Sequence, residues 1–112
     1  MLLSHTRADK RLSEQGIIDM EYTLFFPTPW DAVNPENDNI DVCLTFSDGR
    51  SFTFVVATPE NLKFLMKQEG KPYLSPGAPM LIAEKLTPEA VTGLLRELVQ
   101  DEALLARYGS DL

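Results

Sequence analysis

Ile40-Asp-Val-Cys-Leu-Thr-Phe46-Ser-Asp-Gly-Arg-Ser-Phe52-Thr-Phe-Val-Val-Ala57 is the stretch whose reading decides the fold. Apolar residues fall at Ile40, Val42, Leu44 and Phe46, then at Phe52, Phe54 and Val56, with Ser47-Asp48-Gly49 between the two runs. Two period-two runs around a glycine-containing tip predict a β-hairpin with one face buried. A two-residue Asp48-Gly49 turn would set Leu44 opposite Thr53 and Cys43 opposite Phe54, mixing polar and apolar side chains on both faces. A three-residue loop with Gly49 left-handed pairs Phe46 with Arg50 instead. Leu44 then meets Phe52, Val42 meets Phe54, and Ile40 meets Val56. A one-residue slip turns every side chain to the other face, so the apolar set selects the bulged turn. Each of these side chains contributes roughly 1.5 to 3 kcal/mol when fully buried.

Downstream, Thr58-Pro59-Glu60 is a helix start: a capping hydroxyl, proline at the first helical position and an acid in the first turn. Leu62, Leu65 and Met66 share one face, Phe64 points away from it, and Gly70 stops the helix. A turn-rich connection, Lys71 to Pro79, leads into Met80-Leu81-Ile82-Ala83, a short continuous apolar run that reads as a strand covered on both faces. Thr87-Pro88-Glu89 repeats the helix-start pattern. Val91, Leu94, Leu95, Leu98 and Leu105 form an amphipathic stripe, and Asp101 recaps a short final helix if the chain breaks near Gln100.

Upstream, Glu21 to Phe26 reads as a strand. Residues 1–16 read as an N-terminal arm, and 17–112 as a single α+β domain, with Met20 a candidate for the natural start. Pro27 to Asn39 holds prolines, asparagines and acids in a long loop, which in a compact domain is functional or mobile. Trp30 in that loop has two readings, a lid folded on the core or an anchor for a partner. The fold class expected is therefore α+β: a mostly antiparallel sheet of about four strands, in sequence order β-β-β-α-β-α, with two helices on one face.

With 112 residues the chain suits one domain. Its formal net charge of −7 argues against a nucleic-acid partner, which calls for clustered Lys and Arg. From Leu12 through Gly49 there is no Lys or Arg, while Glu14, Asp19, Glu21, Asp31, Glu36, Asp38, Asp41 and Asp48 fall there. Such a run serves solubility, or it steers a basic partner. No apolar run is long enough to span a bilayer. The one cysteine, Cys43, fits a reducing, cytoplasmic setting.

The chemistry-bearing residues are few. A nucleophilic Cys43 would need a histidine base, and the one histidine, His5, lies in the arm. One Cys and one His do not make a soft-ligand zinc site. A calcium loop begun at Asn34 fails at Asn39, where glycine is required, and at Thr45, where the terminal acid belongs. No glycine-rich phosphate loop is present. The sequence therefore implies no enzyme, no cofactor and no metal site.

Asn39-Ile40-Asp41-Val42 through Asp48-Gly49-Arg50 to Phe54, Thr58-Pro59-Glu60-Asn61-Leu62 with Leu65-Met66, and Met80 to Ala83 with Leu86-Thr87-Pro88-Glu89 form a recognisable set. Over residues 39–99 the chain resembles a group of small, mostly uncharacterised bacterial proteins, some of which look like immunity proteins of contact-delivered toxins. The resemblance implies a non-enzymatic binding protein. The acid-rich loop, which lies outside the resemblance, supplies the contact: Trp30 is the anchor, and Asp31, Glu36 and Asp38 are steering charges for a basic protein partner. The rival is a structural homo-oligomer, a homodimer for instance, whose arm or edge strand pairs across subunits.

Overall fold

At the tip of the predicted hairpin the Phe46 amide donates to the Arg50 carbonyl (2.8 Å) and the Gly49 amide to the Phe46 carbonyl (2.9 Å). Gly49 has φ +97°, a conformation that side-chain-bearing residues rarely adopt. The three-residue bulged turn is therefore present, and the pairs Leu44–Phe52, Val42–Phe54 and Ile40–Val56 follow. Asp48 braces the turn: its carboxylate accepts from the Arg50 amide (3.0 Å) and from Arg50 Nε (2.9 Å). The Arg50 amide, chiefly, holds that carboxyl below its ordinary value of 3.8.

The structure, a computed structural model, describes residues 2–7, 11–13, 16–18 and 21–111, with side chains described for 21–110. The strands are β1 (Leu2–Arg7), β2 (Arg11–Ser13), β3 (Gly16–Ile18), β4 (Glu21–Phe26), β5 (Asn39–Phe46), β6 (Ser51–Ala57), β7 (Met80–Ile82) and β8 (Ser110–Asp111). The helices are α1 (Pro59–Glu69), α2 (Pro88–Leu98) and α3 (Glu102–Tyr108). The main sheet runs β1-β4-β5-β6-β7, with β8 also paired to β6. All its neighbours are antiparallel except β6 and β7, which are parallel because α1 carries the chain across between them.

The fold is α+β, as the sequence implies, and the strands read from sequence (β4, β5, β6 and β7) lie side by side. Residues 1–16, read as an arm, contain β1, which pairs along β4 from Leu2–Phe26 to Arg7–Glu21. Main-chain pairing asks nothing of side-chain pattern, so this strand left little trace in the sequence. The boundary drawn between residues 16 and 17 falls inside the β2–β3 hairpin. Met20 lies outside the described residues.

Even-numbered residues of β4, β5 and β6 face the core. Tyr22, Leu24, Phe26, Val42, Leu44, Phe54 and Val56 are essentially inaccessible. Val91, Leu95 and Leu98 of α2, with Val99 and Leu105, close that face. The two helices expected on one face, α1 and α2, lie on opposite sides of the sheet; α2 shares its side with the short α3. The first helix, α1, turns Leu62 and Leu65 toward Val55, Met80 and Ile82. Those residues alternate with the core-facing Val56 and Leu81, so α1 lies against the outer side of the sheet.

Helix caps follow the sequence signals. Thr58 Oγ1 accepts from the Asn61 amide (3.2 Å) and Thr87 Oγ1 from the Ala90 amide (3.1 Å). Asp101 accepts from the Ala103 amide (2.9 Å) and starts α3. At α1's end Gly70 is left-handed, and Lys71 N donates to the Met66 carbonyl (3.0 Å).

Two glycines give opposite expectations for one substitution. A Cβ on Gly109 would sit 2.8 Å from the Leu105 carbonyl oxygen and 3.0 Å from Phe54. Gly93, inside α2, has nothing within 4 Å. In urea denaturation Gly109→Ala should destabilise by about 1–3 kcal/mol, and Gly93→Ala should stabilise by about 0.5–1 kcal/mol.

Candidate functional site

The loop singled out in the sequence starts where Pro27 ends β4. Trp30–Ala32 makes one 3-10 turn, closed by Ala32 N to the Pro29 carbonyl (2.9 Å) and Val33 N to the Trp30 carbonyl (3.2 Å). The Trp30 ring packs on Phe26, centroids 5.0 Å apart, and Val33 dips into the core. Trp30 thus occupies the lid position. Its indole N–H is buried and meets no acceptor among the described residues.

From Asn34 onward, side chains do the work of regular structure. Asn34 Oδ1 accepts from the amides of Glu36 (3.0 Å) and Asn37 (3.3 Å), a turn held by its own asparagine. Asp38 accepts from the Asn34 amide (3.0 Å) through one oxygen and from the Asn39 amide (2.8 Å) through the other. Asn61, buried in the first turn of α1, ties this loop to the helix: it accepts from Asn39 Nδ2 (2.8 Å) and donates to Asn37 Oδ1 (3.1 Å). Thr58 N donates to the Asp38 carbonyl (3.2 Å) and Leu86 N to the Pro35 carbonyl (2.9 Å). The loop is thereby fixed at one end to α1 and at its middle to the segment entering α2.

The four residues expected to meet a partner fare differently. Asp31 is exposed and makes no hydrogen bond or ion pair among the described residues. Glu36 is exposed and 3.3 Å from Lys85, a surface pair of small energetic weight. Both carboxylate oxygens of Asp38 are engaged within the loop. Glu36 and Asp38 belong to one Asn34-centred turn; Asp31 stands on the preceding 3-10 turn.

Sequence reasoning missed Asn61 and Lys85, whose partners lie across the fold. It also missed an open groove of about 550 Å³ lined by Val55, Leu62, Leu65, Leu74, Met80 and Ile82. The signal for that groove was present in the apolar residues of α1 and β7, but not the side of the sheet on which they meet. Cys43 lies half-buried on the outer sheet face with Sγ 4.0 Å from Thr53 Oγ1. No group of three or more His, Cys, Asp or Glu is placed to hold a metal ion among the described residues. The described loop carries no nucleophile paired with a base; what it offers is fixed backbone shape and outward carboxylates.

No family model, curated protein or solved structure matches this chain.

If Asn61 is the staple, Asn61→Ala leaves the Asn37 and Asn39 amides without their shared partner. We expect a loss of about 1–3 kcal/mol in stability, and faster amide hydrogen exchange at residues 36–38 than in the unsubstituted protein.

Proposed function

We propose that this chain is a non-enzymatic binding protein that takes a basic protein partner on the Trp30–Asp38 loop, in the manner of an immunity-type inhibitor. The observation that carries the reading is the loop's construction. Asn34, Asn37, Asp38, Asn39 and Asn61 hold its backbone, while Asp31 and Glu36 remain exposed. A surface fixed before contact loses little conformational freedom on binding, and exposed carboxylates raise the encounter rate of a cationic partner. Asp38 contributes as a structural member whose charge adds to the local field. Trp30 supports the loop from beneath through Phe26 and offers its partly exposed edge. No helix among the described residues is long and apolar enough to cross a membrane. A cytoplasmic setting belongs to the proposal, resting on the single cysteine.

A homo-oligomer is the second reading. It is favoured by Phe64 and Tyr73, which remain 48% and 56% exposed. Light scattering across a concentration series separates the two: a mass that stays at 12.6 kDa removes the oligomer.

For the leading reading, association with a basic partner should be strongly salt-sensitive. Asp31→Asn with Glu36→Gln should slow association by about three- to tenfold, whereas Glu89→Gln on α2 should leave it unchanged. Biolayer interferometry at low and high salt reads both, and equal rates at the two salt concentrations would sink the proposal.

A further inference from the structure

The parallel pairing of β7 determines which of its main-chain groups are spoken for. Ala83 N donates to the Ala57 carbonyl (3.0 Å). Main-chain groups along a strand alternate sides, so Leu81 and Ala83 turn theirs toward β6, and Met80 and Ile82 turn theirs away. No strand pairs with that outer side among the described residues. Strand β7 is therefore a free edge with amides and carbonyls ready to pair.

Each face of this edge opens on an apolar cleft. On the outer face is the groove between α1 and the sheet, into which Met80 and Ile82 project. On the core face is a cleft of about 320 Å³ lined by Leu81, Leu94, Leu98, Leu104 and Tyr108. Ile82, at the mouth of the first, is 48% exposed. Each cleft has one charged lining residue, and in both it is a glutamate: Glu69 in the groove and Glu97 in the cleft. Glu84, just beyond β7, is exposed, and neither it nor Glu97 has an ion-pair partner among the described residues.

We propose that β7 is a docking edge for an extended segment of a partner protein, which adds to the sheet as a further strand. Successive side chains of an added strand enter alternate faces. With an apolar cleft on both, the segment that fits has a short continuous apolar run, not an alternating one. Glu69 already lies 3.8 Å from Lys71. The charges left to meet a cation are Glu97 in the core-side cleft and Glu84 just past β7, and the segment carries lysine or arginine at its ends to reach them. This edge shares no residue with the Trp30–Asp38 loop, which it adjoins through Lys85 and Leu86, and different variants test the two.

The probe is a capped peptide of about eight residues, with valine and leucine at its centre and two lysines at each end. It is titrated into the full-length protein and followed by backbone amide NMR and fluorescence anisotropy. Saturable binding with shifts concentrated at residues 80–84 is expected. Ile82→Pro removes an outward amide without touching the bonds to β6, and should weaken binding about tenfold. Ile82→Lys keeps the main chain intact but places a cation at the groove, and should also weaken it if the proline variant does not fold. Glu97→Lys should cost about threefold, and a peptide with glutamates in place of the lysines should bind more weakly still. The proposal is overturned if the folded protein does not bind the peptide, or if the glutamate-ended peptide binds equally well. It is also overturned if the protein is a dimer that Ile82→Pro turns into a monomer, since the occupant would then be a second copy.

Discussion

The two hydrogen bonds that Phe46 makes at the hairpin tip, from its amide to Arg50 and to its carbonyl from Gly49, set the parity of the whole sheet. Once Phe46 faces Arg50, every even-numbered position of β5 and β6 falls on one side and every odd-numbered position on the other. Strand β4 inherits that parity through the Tyr22–Phe46 and Leu24–Leu44 pairs, and β7 through Val56–Leu81. The aromatic rings reinforce it: Phe46 meets Tyr22 and Phe52 edge-on, both at 6.2 Å, with the Arg50 guanidinium 4.9 Å above it. A shift by one residue would expose Val42, Leu44 and Phe54 together. The turn is thus worth far more than its own bonds.

From that parity the placement of the helices follows. A parallel neighbour for β6 requires a crossover, and the helix that makes it must lie on one side of the sheet. Helix α1 takes the outer side and brings Leu62 and Leu65 over Val55. The chain then passes to the other side at Ala83 and Leu86, both buried, and α2 and α3 seal the core. The outer side receives one helix where the inner receives two. That asymmetry leaves Met80 and Ile82 beside an open groove while Leu81, between them, is nearly inaccessible.

What was legible in the sequence was what depends on near neighbours. The hairpin register, the hydroxyl caps at Thr58 and Thr87 and the recap at Asp101 rest on contacts within a few residues, and each stands where the spacing places it. What was not legible depends on separation. Asn61 meets Asn37 and Asn39 across 24 and 22 residues. Asparagines scattered through a proline-rich loop read as mobility or function until the partner on α1 is in place. The run Met80–Ala83 reads as covered on both sides, yet Ile82 is exposed. A continuous apolar run cannot distinguish an inner strand from an edge strand between two clefts. For α1 the periodicity gives the stripe but not the side of the sheet, since both sides are apolar near β7.

The acidic residues divide by what their carboxylates already touch, and that division bears on function more than the net charge does. Asp48, Asp38 and Asp101 each accept backbone amides, at a turn, in a loop and at a helix start. Their negative charge accompanies a structural task and would be present in a protein with no partner at all. Glu36, Glu60 and Glu69 lie near lysines at the surface, where such pairs contribute little. Asp31, Asp41, Glu84 and Glu97 do neither among the described residues. Solubility alone places no demand on where such charges stand. Three of these four stand where the backbone is held by other groups: Asp31 beside a loop stapled by asparagines, Asp41 on β5 opposite Val55, and Glu97 on α2 at the cleft that Leu81 also lines. A charge on a rigid support keeps its position when a partner arrives. On the proposed reading, such a charge loses little freedom when a partner binds.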